Sequence, residues 1–315
     1  MPVFRIIAFD GGGIRGALST RILKRITDQY PELLKKTDMF SGTSTGSIIA
    51  LGLAYNKTSE ELDNLYSYQN TKYIFSPRRP NLFVPKYRNV HLSHLLSTVF
   101  PQNLSLASLP KYVFVPSFNV KGYTTRGFEG VFFSNLINNP TISEKVIDTA
   151  LCSSAAPTYF PSVNNFIDGG VFMNSPTAAP VIYVRSVFPN KYKLSDFRLL
   201  SIGTGFYPER ILKRTKNWGI AQWSINPTTS TKTPLLSVLL GATTPVENRY
   251  SYELLKQNYF RLNPNLDEPI PLDAYKKVPY LKELADQVDL SNVFRYIERY
   301  YFCLLYTSPS PRDTR

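Results

Sequence analysis

Residues 3–16 read VFRIIAFDGGGIRG, an apolar run that stops at Asp10, then three glycines, then a fourth at Gly16. Val3 to Phe9 has the length and content of a buried strand rather than of a leader segment. Leu18, Ile22, Leu23 and Ile26 follow at helical spacing, so an amphipathic helix is expected from Ala17 to about Tyr30, closed by Pro31. The unit is strand, glycine turn, helix. It recurs at once: Met39 to Ser41 reads as a short strand, residues 42–46 (GTSTG) as the turn, and Ile48 to Ala54 as the helix. Two further short strands, Phe166 to Asp168 and Leu199 to Ile202, also run into glycines. Strands that end in glycine turns and alternate with helices predict a layered α/β domain with its site at one end of the sheet.

The remaining elements are read around this frame. Val113 to Phe118 and Val131 to Phe133 are strand candidates, Val146 to Leu151 a helix that ends before Pro157, and Val293, Ile297 and Tyr300 a last helical pattern. Thr58 with Glu61 has capping-box spacing. With 315 residues, 43% of them hydrophobic, one large core is within reach. One domain is expected over residues 1–300 and a tail over 301–315, of which 307–315 reads as disordered or foreign sequence. No run approaches the ~20 apolar residues of a membrane span. A soluble, cytoplasmic protein, at most peripheral at a membrane, is the expectation. Cys152 and Cys303 fit no metal or redox spacing and read as buried thiols.

The formal charge of +13 has two readings, solubility or an anionic partner. No nucleic-acid motif accompanies it, so a nucleic acid is not expected. Between Pro77 and Arg88, the basic residues Arg78, Arg79, Lys86 and Arg88 alternate with Phe83, Val84 and Tyr87, a set suited to contact with anionic lipid, or equally an ordinary exposed loop.

Chemistry enters with the turns. A serine between glycines at a strand-to-helix turn is lifted into a cleft, so Gly42, Thr43, Ser44, Thr45 and Gly46 describe a nucleophile elbow around Ser44. The loop Gly11, Gly12, Gly13, Ile14, Arg15, Gly16 offers unobstructed N–H groups at a helix start, fit for an oxyanion or for a dinucleotide pyrophosphate. The second use, that of an NAD(P)-binding oxidoreductase, needs an acid about 20 residues on at the end of a second strand. Asp28 and Glu32 fall at a helix end instead, which ranks the oxyanion first. The only histidines, His91 and His94, lie on a helical pattern of leucines and precede every later acid. A Ser, acid, His order along the chain therefore cannot be drawn with Asp168, and no metal set is visible. Asp168, followed by Gly169 and Gly170, is the natural base.

GGGIRG at 11–16, GTSTG at 42–46, SSAAPTYFP at 153–161, DGG at 168–170 and SIGTG at 201–205 stand in the order in which the patatin-like phospholipases carry such motifs. The chain resembles that family as far as about residue 265, and only loosely from Asp267 onward. The resemblance implies a three-layer α/β/α fold with a central, mostly parallel sheet, and a lipid acyl hydrolase with a Ser44/Asp168 dyad, an oxyanion loop at Gly11 to Gly13, a basic loop position at Arg15, and neither cofactor nor metal. A catalytically silent patatin scaffold is its non-enzymatic counterpart. Some bacterial members are membrane-degrading effectors switched on by a cyclic nucleotide, and no separate sensor domain is visible here.

Overall fold

The computed structural model describes residues 3–79, 83–229 and 232–302. Seven strands form one sheet: β1 (Phe4–Phe9), β2 (Met39–Gly42), β3 (Tyr112–Asn119), β4 (Glu129–Ser134), β5 (Phe166–Asp168), β6 (Phe197–Ile202) and β7 (Tyr259–Leu262). Along its main path the order is β4-β3-β2-β1-β6-β7. The strands from β3 to β7 along that path run parallel, while β4 and β5 are antiparallel to β3.

All of β1 but Arg5 is buried because both faces are covered, and its side chains enter the two layers by turns. Ile7 and Phe9 enter the larger core with Leu18, Ile22 and Ile49, under helices Gly16–Gln29 and Thr45–Ala54. Phe4 and Ile6 enter a smaller core with Phe114, Val181 and Leu199, under helix Ala178–Val187. Each such fully buried aliphatic or aromatic side chain contributes roughly 1.5–3 kcal/mol, so the central strands anchor whatever hangs from their ends. This is the helix, sheet, helix layering that the resemblance implies.

The expected strands and the first helices occur with bounds shifted by a few residues, and the capping box is reciprocal. The Glu61 N–H donates to Thr58 Oγ1 at 3.1 Å and the Thr58 N–H to Glu61 Oε2 at 2.8 Å. Helices Pro234–Leu255 and Val278–Gln287 and strand β7 had no counterpart in the sequence reading. Cys152 is buried, which pushes its thiol up to about 12. Cys303 and the tail at 307–315 lie outside the described residues.

One detail of the sheet positions the site. β2 pairs with β3 only as far as Ser41 opposite Phe114. β5 then takes the same side of β3, with Asp168 opposite Ser117. Two residues of β3, Val115 and Pro116, lie between these registers, a rise of roughly 10 Å from Phe114 to Ser117. The turn that follows Gly42 fills that gap, so the carboxylate of β5 is delivered to the serine that ends β2.

Candidate active site

Ser44 leads helix Thr45–Ala54 with φ 53° and ψ −122°. A non-glycine residue held there stores about 1–3 kcal/mol of backbone strain and persists only where its surroundings enforce it. Here they do. A Cβ on Gly42 would lie 2.0 Å from the Gly46 carbonyl, and one on Gly46 2.4 Å from the Phe9 carbonyl, so the turn closes on itself and on β1. The Ser44 N–H donates to Ser153 Oγ at 3.0 Å, and Ser153 donates to the Pro116 carbonyl of β3 at 2.7 Å. Thr43 Oγ1 donates to the Met173 carbonyl at 2.7 Å, and Thr45 Oγ1 meets the Tyr66 hydroxyl at 2.5 Å.

Asp168 is 2% exposed. Its N–H donates to the Ala155 carbonyl at 3.0 Å, and its Oδ1 accepts the Gly170 N–H at 2.7 Å. Burial pushes the carboxyl up to about 6, against the opposing pull of the hydrogen bonds from Gly170 and from the Ser44 side chain. A carboxylate so placed is a stronger base than one in water, and it faces a hydroxyl. Gly169 is packed onto β3, where a Cβ would meet the Pro116 carbonyl at 2.2 Å.

The glycine loop is less generous with donors than its sequence suggests. The Gly11 N–H goes to the Asn174 carbonyl at 2.9 Å, Ile14 to Leu272 at 2.9 Å and Arg15 to Gly12 at 3.1 Å. The Gly16 N–H is held by the carbonyls of Gly13 and Ile14. Among the described residues only the N–H groups of Gly12 and Gly13 in this loop remain without a protein acceptor. The wider donor set, Gly11 through Gly16, therefore contracts to these two. Arg15 donates from Nε to the Gly12 carbonyl at 3.3 Å and makes no ion pair, and burial holds its pKa below the ordinary value against the pull of Glu209 and Asp10. It braces the loop from within.

These turns and their order carry a signature that the whole sequence repeats. Residues 7–181 match the family described as patatin-like phospholipase. The chain belongs to that family. It is 33% identical to protein teg of Priestia megaterium over 95% of this chain and 99% of that one. It is 29% identical to a cGAMP-activated phospholipase of Vibrio cholerae over 64% of each. Identity to calcium-independent phospholipase A2-gamma of Homo sapiens is 27%, over 94% of this chain and 38% of that protein.

In this patatin-like frame Ser44, Thr45 and Gly13 border an apolar cleft of about 60 Å³ whose walls include Ile48, Leu65, Phe75, Leu96 and Phe160. Ser154 borders it too, and its buried hydroxyl has no protein partner. His91 is turned away, with Nδ1 2.7 Å from the Tyr73 carbonyl and its ring stacked on Tyr73, and His94 is exposed. Among the described residues no three His, Cys, Asp or Glu side chains gather as a metal would require. Where a dinucleotide fold would end its second strand on an acid, β2 ends on Gly42.

Several contributors were invisible in the sequence reading. Arg261 of β7 reaches across β6 to Asp10 with both nitrogens, at 3.1 and 2.5 Å, and to Ser201 Oγ at 2.7 Å. Thr204 Oγ1 donates to the Gly11 carbonyl at 2.9 Å. With Asn174 and Leu272 they fix the glycine loop from four separate segments. No local pattern marks Arg261 or Leu272, and the SIGTG run that contains Thr204 does not show its reach to Gly11.

Of the seven residues singled out between Pro77 and Arg88, Arg78, Phe83, Val84 and Arg88 are exposed, while Arg79, Lys86 and Tyr87 turn inward. Tyr87 is buried and its hydroxyl donates to Asp273 at 2.9 Å, Lys86 pairs with Asp273 at 3.2 Å, and Arg79 donates to the Tyr87 carbonyl at 3.1 Å. Phe83 alone of the aromatic pair is exposed.

Proposed function

We propose that this protein hydrolyses carboxylic esters of lipids through a Ser44/Asp168 dyad. The observation that carries the reading is the buried Asp168 carboxyl, pushed up to about 6, facing the Ser44 hydroxyl with no histidine near either. Asp168 takes the hydroxyl proton as Ser44 Oγ attacks the ester carbonyl. Charge then develops on the carbonyl oxygen, where the Gly12 and Gly13 N–H groups can receive it. The tetrahedral intermediate collapses, Asp168 returns the proton to the leaving alkoxide, and an acyl-serine remains. Water, deprotonated by Asp168, releases the acid and restores the serine. The apolar cleft beside Ser44 suits an acyl chain.

The silent-scaffold reading is separated by one assay. Ser44→Ala should lower hydrolysis of a soluble short-chain aryl ester by about 10⁴-fold or more while circular dichroism stays native. A folded Ser44→Ala protein with wild-type turnover would sink the dyad, and an inactive wild type would favour the scaffold. Running the assay with and without cGAMP distinguishes constitutive from activated hydrolysis, a question raised by the likeness to cGAMP-activated phospholipases.

A further inference from the structure

One stretch of the surface inverts the usual arrangement of polar and apolar residues. On helix Pro234–Leu255, positions Leu235, Val238, Leu239, Ala242 and Val246 follow helical spacing along one face, and all five are exposed. A surface helix ordinarily turns such a stripe to the core. Here the opposite face is the one that packs. Leu240 lies against Gly170, and Thr243 and Thr244 meet Asn174 at 3.3 Å each. The preceding segment adds Leu212 at 90% exposure and Ile220 at 87%. Trp218 and Trp223, the two tryptophans of the chain, pack edge to face between them with ring centroids 5.2 Å apart.

Charge on this stretch has one sign. From Arg210 to Val246 there are five basic residues, Arg210, Lys213, Arg214, Lys216 and Lys232, and no acidic one. Among the described residues Lys213, Arg214, Lys216 and Lys232 form no ion pair. Exposed aliphatic side chains, paired indoles and uncompensated cations together match the interface of an anionic bilayer, where apolar groups enter below the headgroups and cations meet phosphates. A second copy of the chain fits poorly, since docking this face on itself would oppose two sets of like charges. No helix among the described residues is long and apolar enough to cross a membrane, so the surface would lie on a bilayer.

We propose that residues 210–246 are the surface by which this protein docks on an anionic lipid bilayer. Placement gives the surface its use. Through Leu240 it abuts the Asp168 turn, and through Thr243 and Thr244 it touches Asn174, which holds Gly11. Docking there sets the Ser44 cleft against its substrate. The inference rests on the lipid-hydrolase reading only for that purpose, and binding is measured without turnover.

The test uses the full chain carrying Ser44→Ala, mixed with vesicles of phosphatidylcholine or of an equimolar mixture with phosphatidylglycerol. Because both indoles sit in the proposed surface, their emission should shift to the blue with the mixed vesicles and far less with phosphatidylcholine alone. Lys213→Gln, Arg214→Gln and Lys216→Gln together should weaken co-sedimentation with the mixed vesicles about 100-fold. The same charge change at the other end of the sheet, Lys35→Gln, Lys191→Gln and Arg299→Gln, should weaken it far less. Leu235→Ser with Leu239→Ser should also weaken binding, while hydrolysis of the soluble ester, measured with Ser44 intact, is retained. Equal loss from both charge triples, or vesicle binding with no change in emission, would overturn the proposal. So would a concentration-dependent dimer that the leucine substitutions abolish, which would show that a second copy covers the face.

Discussion

The turns after β1 and β2 leave the sheet side by side, with Phe9 paired to Gly42, and each passes through glycines into a helix. They nevertheless present opposite chemistry. The first offers two bare N–H groups, the second a hydroxyl. The way each is held differs as well. The Ser44 turn folds Gly42 onto Gly46 and is tied to distant segments by side-chain hydroxyls, through Ser153, Met173 and Tyr66. The Gly12 turn is clamped by Asn174, Thr204, Leu272 and, through Asp10, Arg261. Both turns lean on distant segments, the first through hydroxyls, the second through backbone carbonyls, one hydroxyl and an ion pair.

The sharpest way to separate the turns is to disable the base and leave both in place. Asp168→Asn keeps an acceptor for the Gly170 N–H and should lower turnover by about 10⁴-fold. Its stability should move the other way. The folded pKa of Asp168 is raised, so its protonated form stabilises the fold at low pH, and that contribution is lost as pH rises through about 6. A neutral amide in its place avoids this loss. The variant should therefore be more stable than wild type at pH 8, by up to roughly 3 kcal/mol, and converge with it near pH 4. For the same reason wild-type kcat/KM should fall as pH drops below about 6. A variant that is dead but no more stable at pH 8 would mean that Asp168 is not a strained, buried base.

Blocking the other turn should cost less. A Cβ on Gly12 would meet the Thr204 side chain at 2.5–3.0 Å, so Gly12→Ala should displace the loop and cost about 100-fold or more in kcat with a smaller change in KM. Because the obstacle is a side chain, adding Thr204→Gly should recover about tenfold of that loss. At Gly13 the obstacle is the backbone of Leu272 and φ is +58°, so no second substitution should rescue Gly13→Ala. If the double variant recovers nothing, the clamp by Thr204 is not what shapes the loop. The smallest effect belongs to the control that touches neither turn. His91→Ala with His94→Ala should cost at most about tenfold through local packing, and a folded double variant as inactive as Ser44→Ala would break the dyad reading.

This contrast also sorts what the sequence could reveal. Ser44 and Asp168 were legible because flanking glycines at a strand end are a short-range signal with a mechanical cause. The donors were legible only as a set. That Gly11, Ile14, Arg15 and Gly16 spend their N–H groups elsewhere depends on Asn174 and Leu272, far away in the chain, and on the closing of the loop itself. β7 was missed because Tyr259 to Leu262 are all half-buried and show no alternation. Helix Pro234–Leu255 escaped for the reverse of the usual reason. Leu236 and Leu240 make the face opposite its apolar stripe apolar as well, so no polar face marked a period.

The reach of Arg261 to Asp10 sets an order in time. A ribosome adds about 5–20 residues each second, and domains form from the N-terminal end. Ser44 and Asp168 have both been made once residue 168 emerges, yet until residues 261 and 272 follow, Asp10 lacks its guanidinium and Ile14 its carbonyl partner. The newborn chain thus holds Ser44 and Asp168 for about 100 residues of synthesis before the glycine loop beside them is fastened.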